Sequence, residues 1–252
     1  MFEVLILSLL QGVTEFLPIS SSSHLILMSE YLGFEKKSLL IDVSLHIGSF
    51  FAVLFYFRED IKNFFNNKEL FLKILISSMP IMVFGYFLVK YDITIYLRDI
   101  KIIGFTTLIF GVFLFLSDRY KEEKNIEKNF TFKSAVIIGL IQILSLVPGV
   151  SRSGIAITGA RFLNFKRFDS LKISFLLSIP TLGAVSIYGL SEIINSEDLK
   201  LSQLSLLSVI LSFSFSILTI KFLFTYIQKF NLDIFVLYRI FLGGILLYFS
   251  YS

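Results

Sequence analysis

The sequence predicts an all-α polytopic membrane protein with six transmembrane helices and two re-entrant helical hairpins in an inverted-topology repeat. Of its 252 residues, 55% are hydrophobic and 17% are charged, whereas soluble domains carry about a quarter charged residues. Apolar runs such as residues 100–117 and 207–227 are long enough to cross a bilayer as helices. Two further apolar segments are interrupted by polar clusters, which is the third observation behind this fold class.

Six segments are predicted to span the membrane because each is apolar over about twenty residues. They cover residues 40–57, 70–89, 100–117, 171–190, 204–226 and 234–251. With the hairpins they are expected to form one integral membrane domain, residues 1–252, of which 1–117 are the first half and 132–252 the second.

Two apolar segments are predicted to be re-entrant hairpins because each is broken in its middle. Residues 1–34 are broken by Pro18 and a run of serines, and residues 132–165 by "PGVSRSG" at 148–154. Irregular backbone at membrane depth is tolerated only where protein or a water-filled cavity satisfies it. The two breaks are therefore expected to meet inside the protein.

The charged loops predict the orientation of the chain. Loops 58–73, 118–133 and 161–172 are rich in Lys and Arg, whereas loop 191–203 has one Lys against three acids. The positive-inside rule places the basic loops in the cytoplasm, and loop 191–203 and both termini outside. Loop 90–101 also falls outside, although it is basic. The hairpins then enter from opposite sides, which predicts an inverted repeat with its binding site near the midplane.

Composition also excludes some functions. The pI of about 9.1 reflects Lys and Arg in short loops, so no nucleic-acid partner is expected. The chain has no Cys, which excludes disulfide and thiol chemistry. Its first apolar stretch lacks a basic leader and a small-residue cleavage site, so a cleavable signal peptide is not expected.

The second polar cluster has the features of an anion site. Ser151 is a natural N-cap for a half-helix over residues 152–163, and a helix N-terminus offers free N–H groups to an anion. Gly149 allows close approach of the backbone, Arg152 adds a charged donor fork, and Ser151 and Ser153 add hydroxyls. The alternative is that Arg152 reaches the lipid headgroups or pairs with Glu15.

The first cluster combines a carboxylate, hydroxyls and an imidazole. Gln11 and Glu15 share a helical face, as do Ser20, Ser21 and His24 after the break. This set suits acid–base chemistry, a nucleophile or one metal contact. A Mg²⁺ or Ca²⁺ ion bridging Glu15 to phosphates is the expected form of a metal site. The alternative is a capping serine run with a buried histidine.

Three other polar residues lie in predicted spans. Asp42 and His46 are four residues apart, so they are expected either to pair with each other or to line the substrate path. Arg239 is interpreted as a helix-end or packing charge.

The two clusters together resemble a known family. "QGVTEFLPISSSSH" (11–24) and "PGVSRSG" (148–154) are similar to the two signatures of the bacterial undecaprenyl-diphosphate phosphatases of the BacA, bacitracin-resistance type. Those signatures are [E/Q]-x-x-x-E with its serine–histidine continuation, and P-G-x-S-R-S-x-x-T. Gln11 stands where a glutamate also occurs, which puts a two-carboxylate metal site in doubt. Ala156 stands at the final threonine, and Thr158 follows two residues later.

The resemblance implies hydrolysis of undecaprenyl diphosphate to undecaprenyl phosphate and inorganic phosphate, which recycles the lipid carrier for cell-wall synthesis and confers bacitracin resistance. It implies a multi-pass protein of the bacterial inner membrane, among membrane lipids, with its site open to the outer face; a homodimer is compatible with it. The implied catalytic residues are Glu15, Ser21, His24 and Arg152, with Glu15 holding the divalent cation. The implied substrate-binding residues are Gln11, Ser20, Gly149, Ser151, Ser153 and Thr158.

Two points stay open at this stage. The nucleophile is either Ser21, activated by Glu15 or His24, or His24 itself. A transporter or flippase of polyprenyl phosphates would need the same phosphate clamp. Acid-phosphatase-like lipid phosphatases are disfavoured, because they need a histidine after the arginine and the last histidine here is His46.

Overall fold

The computed structural model describes residues 2–31, 38–194 and 199–251, and these residues form helices joined by short loops. The α-helices in the described residues are α1 (Phe2–Thr14), α2 (Ser21–Tyr31), α3 (Ser38–Tyr56), α4 (Arg58–Asn66), α5 (Lys68–Lys90), α6 (Ile100–Asp118), α7 (Ile126–Asn129), α8 (Phe132–Gln142), α9 (Arg152–Phe162), α10 (Arg167–Ile194), α11 (Leu199–Ile227) and α12 (Asp233–Tyr251). Short 3₁₀-helices cover Ile93–Arg98 and Ile143–Leu146. The protein is thus an all-α polytopic membrane protein, as predicted.

Helix lengths agree with the predicted spans. Within the described residues, α5, α6, α10, α11 and α12 are each long and apolar enough to cross a membrane. The remaining predicted span, 40–57, corresponds to α3, which reaches that threshold together with α4 across a bend of 73°. The predicted external loop 191–203 lies partly outside the described residues.

Helix α4 was predicted as loop, because its residues are mostly charged or polar. It is amphipathic: Phe64 is buried in the core, whereas Arg58 and Glu59 are exposed. A short helix of this kind is stabilised by the protein surface against which it packs and not by its own propensity. Its end leads directly into α5, whose first turn is capped by Asn67 accepting from Leu70 N at 3.0 Å.

The three basic loops lie at the same end of the molecule. Lys172 Nζ pairs with Asp60 at 2.6 Å, joining loop 58–73 to the start of α10. Arg167 Nε pairs with Asp118 at 2.7 Å, joining the 118–133 and 161–172 loops. The fully buried Arg161 donates to the carbonyls of Tyr120 and Phe165, both at 2.5 Å. The grouping matches the predicted topology.

The two hairpins pack in matching ways on long helices. Helix α1 lies against α11, and α8 lies against α5. A glycine permits each contact: a Cβ on Gly12 would lie 2.5 Å from Phe215 Cβ, and one on Gly139 would lie 2.5 Å from Ser77 O. Small residues at such crossings allow helix backbones to approach closely in a membrane. Each half-length helix is thereby held at the depth where its break meets the other.

Candidate functional site

The first hairpin breaks because its chain turns sharply at Pro18. Helix α1 ends at Thr14, a tight turn covers residues 15–19, and α2 begins at Ser21. Proline has no N–H to continue a helix and fixes its own φ. Ser20 then reverses the chain with a positive φ of 77°. The first residue of the new half-helix is therefore Ser21.

The second hairpin breaks in the same manner. Pro148 is followed by Gly149 with φ 95° and Ser151 with φ 72°. A Cβ on Gly149 would overlap the side chain of Thr106 and lie 2.7 Å from Ile103 O, so only glycine fits there. Ser151 Oγ accepts from Gly154 N at 3.1 Å, which confirms the predicted N-cap of α9.

The two breaks touch each other directly. Gly149 N donates to Ser20 Oγ at 3.3 Å, and Ser153 Oγ donates to Leu17 O at 2.9 Å. Backbone polar groups left free by the breaks are thereby satisfied inside the protein. The half-helices α2 and α9 consequently begin side by side, with Ser21 and Arg152 as their first residues.

Glu15 is the centre of the polar contacts at this junction. Its Oε1 lies 2.7 Å from Arg152 Nη2. Its Oε2 accepts from Ser21 Oγ at 2.6 Å and from Gln11 Nε2 at 3.1 Å. The alternative interpretation of Arg152, a pair with Glu15, is thus what the structure shows, and the pair lies within the site. A nucleophile and a base within hydrogen-bond reach are the arrangement needed for hydroxyl activation.

A cavity of about 320 Å³ opens onto these groups. Its polar wall is formed by Glu15, Ser20, Ser21, Ser22, His46, Ser145, Ser151, Arg152 and Thr181. Its apolar wall is formed by Ile81, Leu146, Pro148, Leu182 and Val185. The cavity therefore offers charge and hydroxyl groups on one side and hydrocarbon on the other, which suits a lipid with a charged head.

The structure brings half of the predicted site residues to the cavity. Those in its wall are Glu15, Ser20, Ser21, Ser151 and Arg152. Gln11, Gly149 and Ser153 lie behind it and bind its members, as described above. Thr158 does not reach the cavity, because its hydroxyl donates to Gly154 O at 2.8 Å within α9. In this geometry the Thr158 hydroxyl is bound within its own helix.

His24 also lies outside the cavity wall, and both of its ring nitrogens are engaged. Nδ1 lies 2.6 Å from Ser20 O and Nε2 lies 2.5 Å from Tyr238 Oη, with the two rings stacked at 5.7 Å. A carbonyl accepts only, so Nδ1 carries the proton and Nε2 accepts from the tyrosine. In this geometry His24 braces the serine turn, and the reacting groups do not contact it.

His46 is the histidine that faces the cavity. Its Nδ1 lies 2.9 Å from Gln11 Nε2 and 3.8 Å from Glu15 Oε2. The amide N–H₂ of Gln11 is a donor, so Nδ1 accepts and Nε2 carries the proton. Asp42 Oδ1 is buried without a hydrogen-bond partner in the described part of the chain. Of the two expectations for this pair, the structure shows no hydrogen bond between Asp42 and His46 in the described residues and places His46 in the cavity wall.

Sequence reasoning missed four residues that serve the site. Ser22, Ser145 and Thr181 line the cavity, and Tyr238 holds His24. Thr181 follows Pro180, a kink signal inside a span, and this polar neighbour was the available clue. Tyr238 precedes Arg239 and gave no signal, because its partner lies 214 positions earlier.

The residues of the site could hold a divalent cation only if a bound phosphate ligand supplied some of the oxygen atoms that the cation needs. Among residues 2–31, 38–194 and 199–251, no three His, Cys, Asp or Glu side chains form a cluster that could hold a metal ion. Glu15 offers a carboxylate, and Gln11 Oε1 beside it is buried with no hydrogen-bond partner within the described residues. Hard cations prefer such oxygens and take further ligands from phosphate and water.

Comparison with known proteins agrees with this geometry. The family model described as "Bacitracin resistance protein BacA" matches residues 4–245. A protein of Pelagibacter ubique (strain HTCC1062) named undecaprenyl-diphosphatase is 47% identical over 99% of this chain and 98% of its own length. Proteins of the same name from Hahella chejuensis (strain KCTC 2396) and Jannaschia sp. (strain CCS1) are 38% and 36% identical, each covering at least 98% of both chains.

Proposed function

The chain belongs to the bacitracin resistance protein BacA family, and from that premise we propose that it hydrolyses undecaprenyl diphosphate to undecaprenyl phosphate and inorganic phosphate. The reaction recycles the lipid carrier for cell-wall synthesis and confers bacitracin resistance. One observation carries the assignment of chemistry: Ser21 Oγ lies 2.6 Å from Glu15 Oε2 inside the cavity. A carrier that only binds phosphate has no need of a hydroxyl held against a base.

Ser21 is the nucleophile in the proposed mechanism. Its oxygen attacks the terminal phosphorus in line with the bridging oxygen, and its proton passes to Glu15 Oε2. The bond between phosphorus and the bridging oxygen breaks, and undecaprenyl phosphate leaves. Glu15 then gives the Ser21 proton up to solvent. Water attacks the phosphoserine and passes a proton to Glu15, the bond between phosphorus and Ser21 Oγ breaks, and Oγ takes that proton back as inorganic phosphate leaves. His24 is disfavoured as nucleophile because both its ring nitrogens are already bound.

Arg152 stabilises the charge that develops on the transferred phosphoryl group. Its guanidinium lies in the cavity wall, held by Glu15 at 2.7 Å and by Ser174 O at 3.4 Å. A diphosphate offers oxygens of the same kind as the carboxylate, so Arg152 can bind it through donors that already face the cavity. The first turn of α9 adds backbone N–H groups and the positive end of its dipole.

We propose that the site would hold a divalent cation, Mg²⁺ or Ca²⁺, when the diphosphate is bound. Glu15 would hold it, with Gln11 Oε1 as a neutral second oxygen. Such a cation neutralises negative charge on the phosphates when bound. Since the protein supplies few oxygens, the substrate itself completes the site.

The apolar wall of the cavity supports the proposed lipid, and the basic loops support the proposed location. The prenyl chain lies against the apolar wall, which includes Ile81 and Val185. The basic loops at one end of the molecule support a protein of the bacterial inner membrane with these loops in the cytoplasm. The cavity is proposed to open to the outer face. The described residues of one chain line the whole cavity, so a homodimer is compatible with the proposal but not needed for it.

The test is phosphate release from a C15 or C55 prenyl diphosphate by the purified protein in detergent, with Mg²⁺, Ca²⁺ or EDTA. Cation-dependent release is expected, and Arg152→Ala should remove it. Arg58→Ala, at an exposed arginine, is the matched control and should keep it. If the protein binds the diphosphate and releases no phosphate, the hydrolase is excluded and a carrier of polyprenyl phosphates takes its place.

A further inference from the structure

Arg239 is a buried cation without a counterion among the described residues. It lies in the middle of α12, and its residue exposure is 0%. In residues 2–31, 38–194 and 199–251 no carboxylate lies within ion-pair distance of it. A charge inside a membrane protein is costly, so its presence needs a function. Of the two interpretations made from sequence, a helix-end charge is therefore wrong and a packing charge remains.

The contacts of Arg239 lead to both breaks. Nη1 donates to Pro18 O at 3.1 Å and to Val150 O at 3.1 Å. Nη2 donates to Gly149 O at 2.8 Å, and Nε donates to Thr107 O at 3.2 Å. One planar guanidinium thus joins the first hairpin, the second hairpin and α6.

Three of these carbonyls belong to residues that lie two or three positions before Ser21 or Arg152 in the chain. Pro18 precedes Ser20 and Ser21, and Val150 precedes Ser151 and Arg152. No water is available in hydrocarbon to bind a free carbonyl, so each must find a donor in the protein. Because Arg239 binds carbonyls of both breaks at once, it sets the distance between the first residues of α2 and α9.

The space around Arg239 is matched to its side chain. A Cβ on Gly111 of α6 would lie 3.1 Å from Arg239 Cβ, and one on Gly154 of α9 would lie 3.4 Å from Nη1. A side chain at Gly111 would therefore crowd the arginine, and a Cβ at Gly154 would be in van der Waals contact with it. The guanidinium is therefore confined on two sides as well as bound at four carbonyls.

We propose that Arg239 is a positioning residue for the hydrolysis: it holds the Ser21–Glu15 pair of one hairpin in line with the Arg152 clamp of the other. The inference rests on the proposed function. The reaction rate depends steeply on the position of the nucleophile, since a displacement of about 1 Å can lower the rate about a hundredfold. Arg239 acts through the backbone, so its loss affects turnover more than substrate binding.

Arg239→Lys is the direct test. It keeps the positive charge but replaces the guanidinium, whose three nitrogens bind four carbonyls, by a single ammonium group. With a C15 prenyl diphosphate, we expect kcat per folded protein to fall at least tenfold, with KM changed less than threefold. Arg119→Lys, at a half-exposed arginine that follows α6 and pairs with Asp233 at the start of α12, is the control and should match the parent protein. A lower thermal midpoint with unchanged kcat would show that Arg239 only supports folding, and would overturn the proposal.

Gly111→Ala covers the case in which Arg239→Lys does not accumulate as folded protein. The added methyl group pushes on Arg239 Cβ without touching the substrate, and kcat should fall severalfold. Gly244→Ala, where a Cβ meets nothing within 4 Å, should leave kcat unchanged. Full kcat in folded Gly111→Ala would overturn the proposal. A parent protein that releases no phosphate would instead contradict the proposed function, so the two failures are distinguishable.

Discussion

Ser20 and Ser151 adopt matching backbone conformations at matching places in the two hairpins, with φ of 77° and 72°. Each immediately precedes a half-helix, so Ser21 and Arg152 occupy equivalent positions. The two hairpins therefore present the same backbone turn to the cavity with different chemistry: a serine hydroxyl from one hairpin and a permanent cation from the other. The site depends on this division, because neither hairpin holds both groups.

The positive φ at Ser151 predicts an unusual order of stability. Ser151→Ala removes the N-cap of α9 and keeps a Cβ in a strained conformation, whereas Ser151→Gly relieves the strain. Both variants lose the same hydroxyl. We expect the glycine variant to be more stable by about 1 kcal/mol, measured as unfolding midpoints in detergent. An alanine variant of equal or higher midpoint would contradict the strain argument.

Two neighbouring serines, Ser21 and Ser22, are expected to differ in their effect on the reaction, because only Ser21 is the proposed nucleophile. Ser21→Ala should lower kcat by at least about a thousandfold, as loss of a nucleophile does in other hydrolases. Ser22→Ala should lower it by less than about tenfold, because Ser22 bonds only weakly, to Ser20 at 3.3 Å. Phosphate release per folded protein is the measurement. Comparable losses in both variants would exclude Ser21 as the nucleophile.

The two histidines are expected to differ in importance. His46→Gln removes an imidazole that faces the charged ligand, and a bond of that kind contributes about 1.5–3 kcal/mol, or roughly 10- to 150-fold in kcat/KM. His24→Gln removes neutral bonds to Ser20 and Tyr238, so a loss below about tenfold is expected. If His24→Gln is the more damaging variant, by the 10²- to 10⁴-fold of a lost acid or base, then His24 acts in the chemistry.

A cation should stabilise the protein only together with a phosphate ligand. Since Glu15 is the only carboxylate among the described cavity residues, Mg²⁺ or Ca²⁺ alone should leave the unfolding midpoint unchanged. Cation plus a non-hydrolysable prenyl diphosphate analogue should raise it, and EDTA should reverse the rise. A rise with the metal alone would instead indicate a site made entirely by protein.

Most of the fold could be predicted because the length of each apolar run can be read directly from the sequence, and this length decides whether a helix can span the membrane. Spans, hairpin breaks and the N-cap at Ser151 depend on neighbouring residues, and the structure confirms them. Helix α4 was missed because its stability comes from the surface beneath it. The meeting of the two polar clusters could be predicted because each lies in one short stretch that interrupts an apolar segment, and the structure brings them together.

What the sequence could not supply is which groups face each other. Glu15 and Arg152 are 137 positions apart, and several interpretations of both were open until the hairpins were placed. The position of Thr158 outside the cavity wall could not be predicted either, because its hydroxyl binds the carbonyl of Gly154, four residues back in the same helix. The contacts of Arg239 could not be predicted, because its partners are backbone carbonyls and these leave no signal in side-chain patterns.

The contact between Arg239 and Pro18 also sets an order of events during synthesis, because 221 positions separate them. At about 5–20 residues per second, a ribosome needs roughly 10 to 45 s to make the chain between them. Throughout that time the Pro18 carbonyl has no Arg239 to bind it. The contact between the first hairpin and α12 therefore forms only after the last helix of the chain has been made.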